Sequence, residues 1–156
     1  MFDEHAAGCL GYFEVGRPRH AIQLMQVVGH DTTVDQAFGE FNQGFELVVD
    51  ADDRDEALRL LPLVSDTVAR LDVVDSAARG FAADELLELK NDAWLEGSEP
   101  VVTKADFVAR MSIETVAFGK EGGYAIWYDD GYLFFGHGIC VTVGSRGKPE
   151  EASIHG

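Results

Sequence analysis

Along the pattern of apolar and polar positions, aromatic and β-branched residues are densest between Tyr124 and Val143, which also carries the best turn signal. Two runs of this kind on either side of Asp130-Gly131 predict a β-hairpin, because Asp and Gly tolerate the positive φ that a tight turn demands. Successive side chains of a strand point to opposite faces. The second run therefore sets Leu133, Phe135, His137, Ile139, Val141 and Val143 on one face, apolar except for the histidine. Tyr132, Phe134, Gly136, Gly138, Cys140 and Thr142 fall on the other.

The N-terminal third also carries strand patterns. Residues 9–15 and 20–28 read as two strands joined by Gly16-Arg17-Pro18-Arg19, and Phe45 to Val49 as a third. Between them Asp31-Thr32-Thr33 predicts the cap of a short helix through Phe38. At Asp50 the period changes. Leu58, Leu61, Val64, Val68 and Leu71 keep helical spacing, and Pro62 must either kink that helix or begin a second one. Asp72 and Asp75 look like a capped start for the next helix, whose apolar stripe is Val74, Ala78, Phe81, Ala82, Leu86 and Leu89, running toward Trp94. Gly97-Ser98-Glu99-Pro100 breaks the pattern. Thr103 then caps a short helix through Arg110, Ile113 to Phe118 reads as a strand, and Ala152-Ser153-Ile154 as a short edge strand after a last turn. Strands, then helices, then strands predict an α+β fold, with an antiparallel sheet built from the N- and C-terminal hairpins and the central helices packed on one face. The 156 residues suit one domain, 1–156.

Charge narrows the choice of partners. Twenty-eight acidic against twelve basic side chains leave a formal charge of −16, spread along the chain. Phosphate neutralisation needs clustered Lys and Arg, so nucleic acid is not an expected partner. The acidity serves either solubility, or adaptation to a salty cytoplasm, or recognition of a basic protein. No apolar run reaches membrane-spanning length and the first residues lack a secretory signal, so the expected location is the cytoplasm, without a membrane partner. Cys9 and Cys140 lie far apart, without the spacing of a disulfide framework or a zinc site, and read as small buried thiols.

Three local patterns carry a resemblance: Leu89-Lys90-Asn91-Asp92-Ala93-Trp94, Ala105-Asp106-Phe107, and Asp130-Gly131-Tyr132-Leu133-Phe134-Phe135-Gly136-His137. Together they resemble the bacterial domain-of-unknown-function family 2262 and, less closely, the 2004-type family, over about the last 75 residues. The resemblance implies an intracellular bacterial protein and brings with it no reaction or cofactor. Families of this kind sometimes sit among toxin-immunity genes, a matter of context.

Candidate chemistry centres on His137. As a catalytic group or metal ligand it would act with Asp129 or Asp130, or with Asn91 and Asp92, and burial on an apolar face would shift its proton affinity. The simpler reading is a structural histidine, bonded to a backbone carbonyl or an acid, with Asp129-Asp130-Gly131 as turn residues and Asn91-Asp92 as a helix C-terminal cap. Neither phosphate-binding nor dinucleotide fingerprints occur, and Gly119-Lys120-Glu121-Gly122-Gly123 has the wrong spacing for a phosphate loop, so no cofactor is expected. An interaction or structural site would draw on Asn91, Asp92, Trp94, Tyr132, Phe134 and His137. The two functional expectations are a non-enzymatic interaction module, immunity-type, with a basic protein partner, and a small hydrolase or metal-dependent enzyme using His137.

Overall fold

Chain order alternates sheet and helix once. The computed structural model describes residues 9–15, 21–24, 35–37, 45–51, 54–119 and 122–156. The strands are β1 Cys9–Val15, β2 Ala21–Leu24, β3 Asp35–Ala37, β4 Phe45–Ala51, β5 Ser112–Phe118, β6 Tyr124–Asp129, β7 Gly138–Val143 and β8 Pro149–His155. Three helices, α1 Arg54–Ala69, α2 Leu71–Ala93 and α3 Lys104–Arg110, fill the interval between β4 and β5. The fold is α+β, with strand order β3-β2-β1-β4-β5-β6-β7-β8.

The sheet is mixed, which corrects the antiparallel expectation: β4 and β5 run parallel, with Leu47 opposite Val116 and Val49 opposite Phe118. The helices explain the direction. A parallel return needs a crossover of a dozen residues or more, usually helical, and α1 to α3 supply it. The other strand pairs are antiparallel, and β1 pairs with both β2 and β4. A second correction concerns the helix expected through Phe38, because Asp35–Ala37 is a strand paired with β2. Its expected cap, residues 31–33, lies outside the described residues, as do residues 25–28 of the second predicted strand.

One face of the sheet makes the core. Leu47, Val49, Val116, Phe118, Ile126, Tyr128, Ile139 and Val141 alternate inward and pack with Leu60, Val64 and Val68 of α1, Leu71, Ala78, Ala82, Ala83 and Leu86 of α2, and Phe107 of α3. Removing a fully buried aromatic such as Phe107 would cost about 3 to 5 kcal/mol.

Helix α1 continues through Pro62, which is exposed. Helix α2 begins at Leu71 after Arg70, with no side-chain cap, so Asp72 and Asp75 do not open it as expected. Asp75 instead accepts from Arg79 Nε at 2.8 Å and from the Tyr128 hydroxyl at 2.9 Å. Helix α3 starts as its sequence predicts, with Thr103 Oγ1 accepting from the Asp106 N–H. The apolar stripe of α2 holds as far as Leu86 and then departs from expectation, since Leu89 is exposed and Lys90 is fully buried. Lys90 lies one helical repeat after Leu86, on the same face.

Candidate functional site

The segment between β6 and β7 is not the two-residue turn that Asp130-Gly131 predicts. β6 ends at Asp129 and β7 starts at Gly138, leaving a loop that one carboxylate organises. Asp130 is 1% exposed. Its Oδ1 accepts from Tyr132 N at 3.0 Å, and its Oδ2 from Phe134 N at 2.6 Å and Gly136 N at 3.2 Å. Its own carbonyl accepts from Leu133 N, while Asp129 Oδ1 accepts from Gly131 N. So many bonds converging on one residue fix the backbone in unusual conformations. Gly131 and Gly136 have φ of 54° and 90°, and Tyr132 and Phe135 are held at 68° and 58°, where side chains other than glycine's are strained. Leu133 and Phe134 point inward and are fully buried, whereas Tyr132 is 61% and Phe135 42% exposed. Their ring centroids lie 5.8 Å apart.

Aromatic packing and an ion network hold this loop from below. Trp94 stands edge-on to Phe134 at 5.5 Å, and at 5.4 Å from both Phe135 and His137. Phe107 meets Phe134 at 6.0 Å. The Lys90 ammonium donates to the Trp94 carbonyl at 2.7 Å and to Glu99 Oε2 at 2.8 Å, and it sits 5.9 Å from the Phe135 ring centroid. Glu99 also accepts from Arg110 Nη1 at 3.3 Å and from its own neighbour Glu96 N at 3.1 Å. Arg110 closes the circuit by donating from Nε to the Gly131 carbonyl at 3.0 Å. The hydrogen bond from Lys90, helped by Glu96 N–H and Arg110, lowers the Glu99 carboxyl from its ordinary 4.5 to about 2. Asn91, expected as a helix cap, lies inside α2 and bonds both the N–H and the carbonyl of Val102, at 2.8 and 3.0 Å.

His137 is half-buried in the loop rather than in a strand, with Nδ1 2.6 Å from the Phe134 carbonyl oxygen. A carbonyl only accepts, so Nδ1 carries the proton of this bond. Asp129 and Asp92 are exposed, and Asp130 is committed to main-chain donors. Trp94, Phe134 and His137 come together; Tyr132 joins them through Phe135. Lys90, Glu99, Arg110 and Phe135 were not among the residues singled out from sequence. A readable signal existed for Lys90, a lone cation one repeat beyond Leu86 on an apolar stripe, which requires a buried partner.

A family model described as an uncharacterised protein conserved in bacteria (DUF2262) matches residues 33–154. The chain belongs to this family. The DUF2262 match takes in β3 to β7, β8 as far as Ile154, all three helices and the whole loop, while β1 and β2 precede it. No curated protein and no solved structure matches the chain. Residues 89–94, 105–107 and 130–137, which carry the resemblance in sequence, are the stretches that meet around Phe134.

Two further features stand apart from the loop. Burial, together with Asp75 beside it, pushes the Tyr128 hydroxyl far above its usual proton affinity. Tyr128, Asp75 and Arg79 join β6 to α2, and Arg79 extends the link to the carbonyls of Val108 and Met111 at the end of α3. On the sheet face turned away from the core, Ala117, Ala125 and Thr142 share one register row and floor an open groove of about 680 Å³, ended by Gly123, Gly144 and Glu150. Among the described residues no group of three or more His, Cys, Asp or Glu is placed to hold a metal ion, and no helix is long and apolar enough to cross a membrane.

Proposed function

We propose that this DUF2262 chain is a non-enzymatic protein-interaction module of the bacterial cytoplasm, which binds a basic protein in the manner of an immunity partner through the Tyr132–Phe135 loop. One observation carries the reading: two large aromatic side chains, 61% and 42% exposed, sit on strained backbone that a buried carboxylate organises. Strain of this kind persists where the surroundings over-determine it, and it gathers at functional sites. Rigid, exposed aromatics are what binding hot spots use, because they bring large contact area with little entropy left to lose. A catalytic use of His137 is the weaker account. The carboxylate nearest to it in sequence, Asp130, is occupied by three main-chain N–H groups, and Nδ1 is already bonded to Phe134. The formal charge of −16 supports a basic protein over nucleic acid.

Photocrosslinking in the native host tests the reading, with benzoylphenylalanine placed at position 132 and, as control, at Ser145 beside the groove on the opposite sheet face. The expected result is one basic protein captured from 132 and absent from 145. Equal capture at both positions, or capture of acidic proteins alone, would overturn it.

A further inference from the structure

Resting on that interaction reading, we infer that the Tyr132–Phe135 pair receives a cationic side chain of the partner, arginine or lysine, with Asp129 as its counter-charge. Tyr132 is 61% and Phe135 42% exposed, and their rings are tilted 59° to one another, so the pair presents aromatic surface to a cation approaching from outside. Phe135 already takes a cation in this fold, since the Lys90 ammonium lies 5.9 Å from its centroid on the buried side. The local cations are not free to cover the outer side. Lys90 is fully buried against Glu99, and Arg110 is held by Glu99 and the Gly131 carbonyl. Exposed acids flank the loop, Asp129 beside it and Asp92 and Glu96 at the end of α2 and just past it, while the exposed cation of α3, Lys104, is paired with Asp84. Asp129 places only one oxygen on Gly131 N–H. A guanidinium or ammonium over an aromatic face gains further from a carboxylate next to it, and arginine also stacks flat on such rings. A purely apolar partner side chain would gain from the rings and nothing from the acids.

The test separates charge from shape. Four peptides, identical Gly/Ser decamers with a central arginine, lysine, citrulline or norleucine, are titrated into the isotopically labelled full chain and followed by amide chemical shifts. Arginine and lysine peptides should shift the amides of residues 129–137, and citrulline, which keeps the shape and loses the charge, should bind on the order of 3- to 10-fold more weakly, a ratio that added salt reduces. Tyr132→Leu with Phe135→Leu should abolish the shifts, with unchanged amide positions outside residues 129–137 as the check that the fold is kept, because Phe135 also packs on Trp94; Asp129→Asn should weaken the cationic peptides alone. Citrulline or norleucine binding as tightly as arginine would overturn the inference and leave the interaction reading standing. Shifts that map away from the loop, or no shifts while position 132 still crosslinks a basic protein, would overturn it as well. Failure of the crosslink and of the peptides together would remove both.

Discussion

Gly131 and Gly136 have the same kind of backbone and opposite surroundings. A Cβ on Gly131 would lie 2.2 Å from the Arg110 carbonyl oxygen, whereas one on Gly136 would meet nothing within 4 Å. Gly131→Ala therefore combines strain with a backbone collision and should cost upwards of about 3 kcal/mol, against roughly 1 to 2 kcal/mol for Gly136→Ala, which bears the φ penalty alone. Urea denaturation of the two variants gives the comparison, and equal losses would contradict it. Tyr132 makes the complementary case. Its side chain is mostly in water and its φ of 68° suits glycine. Tyr132→Gly should leave stability unchanged or raise it by up to about 1 kcal/mol, because the relieved strain offsets the greater freedom of the unfolded chain. A loss above about 1 kcal/mol in the same assay would make the ring part of the fold rather than of the surface it presents.

The segment from Trp94 to Thr103 has little regular structure, and charges fasten it instead. With Glu99 lowered to about 2, the unfolded chain binds a proton that the folded one refuses as pH falls from about 4.5 to about 2. The Glu99 contribution is whole above 4.5 and lost progressively toward 2. Glu99→Gln should be less stable at neutral pH and flatter in acid, its stability–pH slope reduced by up to one proton in that window; identical slopes would show that Glu99 is not held in this way. Elements of this size differ in how legible they are. The Thr103 cap, β5 and the last turn could be read directly, because each is fixed by neighbours in sequence. The loop after β6 could not, since Asp130 looks like the residue of a two-residue turn until three N–H groups, two, four and six residues on, are seen to share its carboxylate. Lys90 was passed over for Leu89 because apolar periodicity ranks a leucine above a lysine, and only Glu99 and the Trp94 carbonyl make the lysine's burial tolerable.

At the scale of the molecule, strand order was the part hidden from pattern, because alternation shows that a strand has a buried face and not which strand lies beside it. The helical stretch between β4 and β5 was nevertheless the clue to a parallel return. That one parallel seam has a consequence in time. Its partners, such as Leu47 and Val116, are roughly seventy residues apart, whereas β5 to β8 pair with their immediate successors. Closing a loop of that length early is entropically costly, so the meander and α2 should assemble first and β4 should dock late. Leu47→Ala would then speed unfolding while leaving the refolding rate near that of the parent in stopped-flow chevrons, and a refolding rate that fell by the whole stability loss would put β4 in the nucleus instead. On a ribosome the same order means that β4, made before its parallel neighbour exists, must keep its apolar Leu47 and Val49 from other chains until Phe118 has emerged.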